Sequence, residues 1–157
     1  MDTVISIAGL RKSYSATTAV DGLDLSIQRG EIFALLGPNG AGKTTTVEIL
    51  EGFRNRDSGN VEVLGVDPAT TGAAGKAWRD RIGIVLQSTH DAGDLTVFES
   101  VSHFATYYEN PKDPKAVIDL VGLAEKSNAL GRTLSGGQRR RLDVALGIIG
   151  NPELIFL

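Results

Sequence analysis

The sequence predicts an α/β fold, a parallel sheet with an antiparallel β region at its start. Three observations predict it. Ile32-Phe33-Ala34-Leu35-Leu36 is continuously apolar, as a strand buried on both faces is. A glycine-rich loop, Gly37 to Thr44, follows directly and opens a helix. Further apolar runs, Ile82 to Leu86 and Leu154 to Leu157, alternate with helical patterns.

The elements follow in order. Val4-Ile5-Ser6-Ile7 reads as a strand, and Leu23-Asp24-Leu25-Ser26-Ile27 alternates apolar and polar as a half-buried strand should. Gln28-Arg29-Gly30 turns the chain into the apolar run at Ile32. Thr44 to Glu51 predicts a helix that ends at Gly52. Asp57-Ser58-Gly59-Asn60 is a turn before the alternating strand Val61-Glu62-Val63. Beyond Val66 the pattern is mixed and helical, then Ile82 to Leu86 reads as a second buried strand ending at Gln87. Thr96 to Tyr108 and Pro114 to Val121 predict helices. The last helix is the best defined. Ser135 with Gln138 three positions on forms a capping box, and Leu142, Ala145, Leu146 and Ile149 line one face. Gly150-Asn151-Pro152 stops it before the apolar strand at Leu154.

Composition narrows the function classes. At 157 residues the chain is one domain or most of one. It is 41% hydrophobic and 22% charged, the balance of an ordinary globular protein. A net charge of −3 gives no global electrostatic case for nucleic acid or anionic lipid. There is no cysteine, which excludes disulfides and thiolate metal sites and suits a reducing compartment. No apolar run is long enough to span a bilayer, and the start carries no signal-peptide pattern.

Gly37-Pro38-Asn39-Gly40-Ala41-Gly42-Lys43-Thr44 fits the phosphate-loop pattern G-x-x-x-x-G-K-[ST]. Glycines let successive N–H groups turn inward on a phosphate, and the helix that follows adds its positive end. Lys43 supplies a point charge for the β- and γ-phosphates, and the Thr44 hydroxyl suits Mg²⁺. A chance match in a chain of this length is on the order of one per cent. The loop specifies a purine triphosphate. The lack of a guanine-reading motif favours ATP. Leu134-Ser135-Gly136-Gly137-Gln138 is rarer still. Two glycines in a first helical turn each weaken the helix by about 1 kcal/mol. They make sense where a phosphate must approach backbone N–H groups closely.

With both strings in hand, the chain from Val4 to Leu157 resembles the ATP-binding domain of ABC transporters. The resemblance implies a P-loop NTPase parallel sheet with an N-terminal antiparallel β region. It also implies a single ATP-binding domain over 1–157, with a helical subdomain carrying the signature at roughly 88–150. It implies that residues 37–44, with Thr45, bind ATP, that Tyr14 stacks on adenine, and that Lys43 acts in catalysis. Gln87 matches the glutamine that contacts Mg²⁺ and the attacking water, so Thr44 and Gln87 are the implied metal contacts. Ser135, Gly136, Gly137 and Gln138 match the signature that reaches the γ-phosphate of ATP on a second, head-to-tail subunit. The wording around Val20-Asp21-Gly22-Leu23, Thr44-Thr45-Thr46 and Leu95-Thr96-Val97 is most similar to bacterial drug-resistance exporters. The implied partners are ATP, a second ATP-binding subunit and a membrane-spanning permease, and no nucleic acid. The implied location is the cytoplasmic face of the plasma membrane.

In that family an Asp-Glu pair follows the last strand, and a histidine lies further on. Both would fall after Leu157, together with a central strand of the sheet. The resulting expectation is a truncated ATPase subunit that binds nucleotide weakly, hydrolyses little and dissolves poorly. Two alternatives stand beside the exporter reading. One is an ABC-type ATPase acting in DNA repair, chromosome structure or translation, and the other is a non-catalytic nucleotide-binding fragment. Individual residues also have plainer readings. Tyr14 reads as packing, Gln87 as a surface amide, and Arg139-Arg140-Arg141 as a solvated, helix-packing stretch rather than a nucleic-acid patch. His90 and His103 read as surface or core residues. Phe98, Phe104, Tyr107 and Tyr108 read as core before docking patch.

Overall fold

The computed structural model describes residues 2–85 and 93–157. The backbone divides into two compact units, Met1–Trp78 and Arg79–Leu157.

The first unit is built on a three-stranded antiparallel sheet. Strand β1 (Thr3–Tyr14) lies between β2 (Thr17–Gln28) and β3 (Ser58–Val63). Ile5 and Ile7 stand opposite Ile27 and Leu25 on one side and Val63 and Val61 on the other. The period-two alternation therefore places a row of branched side chains on one face, where Ile5, Ile7, Ile27, Val61 and Val63 are buried. Helix α1 (Lys43–Leu50) packs on β2 and β3 and buries Ile49 and Leu50. It stops as the sequence predicts. Gly52, at φ 78°, donates to the Ile49 carbonyl and Phe53 to that of Glu48, the two bonds of a Schellman motif. Helix α2 (Gly72–Arg79) brings in Trp78, whose indole N–H donates to the Val63 carbonyl at 2.9 Å. The strands run further than the alternation marks, because a ladder continues wherever backbone partners exist, whatever the side chains.

One expected strand is not there. Residues 31–38 belong to no ladder among the described residues. Ile32 is fully exposed, Leu36 is 86% exposed and Phe33 about half. Apolarity records a need for burial. It does not supply the neighbouring strand whose N–H and C=O groups make a strand of it.

The second unit pairs β4 (Ile82–Ile84) with β5 (Leu154–Phe156), parallel and in register from Ile82 opposite Leu154. A parallel pair needs a long crossover. Here the crossover carries helices α3 (Val97–Ala105), α4 (Pro114–Leu120) and α5 (Gly136–Ile148). Their apolar faces meet in one core that includes Val97, Val101, Val117, Ile118, Leu142, Ala145, Leu146 and Ile149. Each helix is capped by its own sequence. Thr96 and Glu99 form a capping box, Asp113 caps α4 with Pro114 behind it, and Ser135 and Gln138 form a second box. An ion pair between Arg81 and Glu153 at 2.6 Å joins the starts of β4 and β5.

Helix α5 and β4 approach backbone to backbone. A Cβ on Gly83 would stand 2.2 Å from the Gly147 carbonyl oxygen, and one on Gly147 would stand 2.6 Å from Val85 Cγ2. Gly83→Ala is therefore expected to cost about 2–3 kcal/mol and lower Tm by about 5–10 °C. Gly137→Ala, whose Cβ meets nothing, is expected to leave Tm unchanged or slightly raised. Thermal melts followed by circular dichroism check the contrast, and equal Tm values for the two variants would refute it.

Candidate functional site

Residues 37–44 form a closed loop in the first unit. The chain enters it at Gly37 and leaves through Gly42, whose left-handed backbone (φ 77°, ψ 8°) is the N-cap of α1. Only glycine fits there. A Cβ on Gly42 would lie 2.1 Å from the Ala19 carbonyl oxygen on β2. Ala41 N–H donates to the Pro38 carbonyl at 3.2 Å and tightens the turn. The Lys43 ammonium then folds back and donates to the carbonyls of Gly37 and Pro38, both at 2.7 Å. Gly37, Pro38, Asn39, Gly40, Ala41, Gly42, Lys43 and Thr44 thus make one ring of backbone with a cation inside it.

The helix start adds donors. Thr46 is the first residue of α1 whose N–H bonds back into the turn, to Gly42 at 2.8 Å. Its hydroxyl takes the same carbonyl at 2.9 Å. The amides of Lys43, Thr44 and Thr45 precede it and have no acceptor within the helix. Three free amides, an ammonium and the positive end of a helix converge on one loop, and an anion is their natural complement. Thr44 is exposed at this end.

Tyr14, at the end of β1, belongs to the same neighbourhood. Its hydroxyl is 3.5 Å from Thr45 Oγ1, and its ring is partly exposed. Two cations flank the ring. Lys12 Nζ lies 5.6 Å from the centroid and Arg54 Cζ lies 5.3 Å from it. Each cation has a carboxylate anchor, Asp57 for Lys12 and Glu48 for Arg54, both at 2.6 Å. The sequence assigns Lys12, Glu48, Arg54 and Asp57 no role beside Tyr14. They belong to no motif, and Arg54 sits in an ordinary polar turn after the Gly52 stop.

The signature lies in the second unit. Ser135 caps α5 by accepting from Gln138 N–H at 3.3 Å, while Gln138 Oε1 accepts from Ser135 N–H at 2.9 Å. Gly136 and Gly137 form the exposed first turn, and a Cβ on either would touch nothing. Packing therefore does not require these glycines. Their lack of side chain leaves the helix-start amides uncovered. Among the three arginines, Arg139 reaches the Gly131 carbonyl at 3.0 Å and Arg141 approaches the Gly122 carbonyl at 3.4 Å. Both thus turn toward backbone carbonyls of neighbouring segments. The four aromatics divide. Phe98 and Tyr108 pack on the helical core, whereas Phe104 is at the edge of exposure and Tyr107 is 59% exposed. His103 lies at the surface, its Nε2 2.9 Å from the Tyr107 hydroxyl. Gln87 and His90 lie outside the described residues. Among the described residues no three His, Cys, Asp or Glu side chains gather to hold a metal, and no helix is long and apolar enough to cross a membrane.

Residues 20–157 match the family model described as ABC transporter. The chain is 40% identical over 159 residues to the Nod factor export ATP-binding protein I of Ralstonia nicotianae, covering 98% of this chain and 49% of that protein. It is 36% identical over 164 residues to the daunorubicin resistance ATP-binding protein DrrA3 of Streptomyces coeruleorubidus, covering 99% and 50%. Among solved structures it is similar to cbiO1 of Clostridium perfringens, part of the ABC transporter complex cbiONQ. That match has TM-score 0.85 and 27% identity, and covers 99% of this chain and 64% of that one. The chain spans about half the length of the curated relatives it matches.

One titration follows from the α1 end. Burial first, and the Glu48 charge second, push the Glu51 carboxyl up to about 7. The folded chain then holds a proton that the unfolded chain releases above its ordinary value of 4.5. Stability from this group is therefore full below about 4.5 and falls as pH rises to about 7. Asp57, Asp67 and Glu99 are held low by their hydrogen-bond partners, so their contributions are lost only in more acid solution. Glu51→Gln is expected to flatten the decline between pH 5 and 8. The gain at pH 8 is expected to be on the order of 1 kcal/mol, less than full linkage because the residue is only part-buried. Urea midpoints at the two pH values test this, and an unchanged pH dependence in the variant would contradict it.

Proposed function

The chain belongs to the ABC transporter family, and on that premise we propose that it is the ATP-binding, energy-coupling part of a bacterial export transporter. The observation that carries this reading is the loop at 37–44, closed on itself with the Lys43 ammonium at its centre. ATP fits that loop by charge and by donor count. Its triphosphate takes the free amides of the α1 start and the Lys43 charge, and its base goes to Tyr14. Thr44 would hold Mg²⁺. A hydroxyl beside phosphate oxygens suits a hard ion that keeps several of its waters and needs few protein ligands. When bound, the ion neutralises charge that develops between the β- and γ-phosphates. Gln87 is proposed to share that ion and to orient water for hydrolysis.

The rest of the reading extends this core. The chain is taken as one ATP-binding domain, with its helical subdomain at roughly 88–150. The exposed, glycine-opened turn at Ser135 to Gln138 is proposed to reach the ATP of a second, head-to-tail subunit. A membrane-spanning permease is the proposed partner, which places the protein peripherally at the cytoplasmic face. Export is favoured over import by the names of the relatives, which refer to Nod factor export and daunorubicin resistance.

Lys43→Ala removes the charge and opens the loop. It is expected to weaken Mg-ATP binding by about 100-fold or more, since hydrogen bonds to a charged group are worth about 1.5–3 kcal/mol each. The circular dichroism spectrum should not change. Titration calorimetry of wild type and variant reads the difference, and equal affinities would overturn the assignment.

A further inference from the structure

Helix α1 carries both ends of a side-chain chain that no motif specifies. Thr45 and Glu48 are three residues apart and therefore share one face of α1. Tyr14 reaches the first of them through its hydroxyl, 3.5 Å from Thr45 Oγ1. Arg54 reaches the second through Nε, 2.6 Å from Glu48 Oε2. Tyr14 and Arg54 then meet each other, with the guanidinium carbon 5.3 Å from the ring centroid.

Arg54 is delivered to this position by the backbone. After Gly52 the chain reverses, and the N–H groups of Phe53 and Arg54 both donate to the Glu48 carbonyl, at 2.9 and 3.1 Å. The reversal turns the Arg54 side chain back along α1. With Nε committed to Glu48, the rest of the planar group remains for the aromatic ring. A guanidinium suits that role, because it is flat, always charged and weakly hydrated. Lys12 is the other cation at the ring, 5.6 Å away, but it is held from β1 by Asp57. Arg54 joins the face of the ring to the helix that opens from the phosphate loop, while Thr45 meets only its hydroxyl edge.

We infer that Arg54 is a positioning residue for the nucleotide base, holding the Tyr14 ring in register with α1 and so with the phosphate loop. The inference rests on the proposed stacking of the base on Tyr14. One rigid element then fixes both the base platform and the triphosphate donors, so their separation is preset. Arg54 contributes to recognition of the base and nothing to recognition of the phosphates.

The test compares Mg-ATP with Mg-tripolyphosphate, which has the phosphates and lacks the base, by titration calorimetry on the 157-residue chain. Arg54→Ala is expected to weaken ATP binding about 3- to 10-fold and leave tripolyphosphate within about 2-fold. Glu48→Gln, which loosens the anchor, should show the same selectivity in smaller degree. Tyr14→Ala should weaken ATP, and adding Arg54→Ala to it should have no further effect. If Tyr14→Ala weakens ATP and Arg54→Ala does not, the role of Arg54 is refuted and base stacking stands. If Tyr14→Ala changes nothing, base stacking itself is refuted and the inference goes with it. Equal losses for both ligands in Arg54→Ala would show general loosening of the loop. Tighter ATP binding would show that Arg54 competes for the ring. Either result overturns the inference.

Discussion

Two carbonyl oxygens facing one ammonium hold the glycine-rich loop of this protein together. A loop that cradles anions must point its N–H groups inward, and then has little to hold it shut. Here Lys43 supplies the closure from inside, through Gly37 and Pro38. The left-handed turn at Gly42 makes that reach possible, pressed so close to Ala19 that no side chain could replace its hydrogen. Ordering a free loop costs about 1–2 kcal/mol per residue. A loop already closed has met most of that cost before any phosphate arrives. The cation that holds the ring shut is also the group that a phosphate would attract, so arrival of the ligand exchanges one set of oxygens for another with little refolding.

Much of this was legible in the residues, because local chemistry decided it. The phosphate loop, the stop at Gly52, the cap at Ser135 and the face of Leu142, Ala145, Leu146 and Ile149 each depend on neighbours within a few positions. What was not legible depends on distance. Ile32 to Leu36 has the composition of a buried strand, yet a strand is made by a partner, and no described ladder reaches it. Arg54 carries no signal in its own surroundings. Its place beside Tyr14 comes from a helix that ends with a reversal and a strand that enters from forty residues upstream in sequence. The aromatics of α3 and of the turn after it divided for a similar reason. Helical spacing says which residues share a face, and the packing of the helices into one core says which of them are covered.

The two halves solve a shared problem in different ways. Each must start a helix with bare amides. At α1 a left-handed glycine with no side-chain cap leaves those amides uncovered. At α5 Ser135 and Gln138 satisfy two backbone groups reciprocally, and the glycines between them keep the surface clear. The first arrangement leaves donors open to an anion seated in the loop that precedes the helix. The second caps the helix with its own side chains and leaves its tip bare of others.

The contact between Gly83 and Gly147 gives that second helix a mechanical character. Backbone pressed against backbone leaves no soft side chain to absorb a displacement, so β4 and the far end of α5 are clamped at a fixed separation. From Gly147 to Gly136 the helix rises about 17 Å. A side chain that changed the crossing angle there by about five degrees would shift its glycine tip by roughly 1.5 Å, half the length of a hydrogen bond. The absence of two methyl groups at one end thus sets where the bare glycine turn at the other end stands.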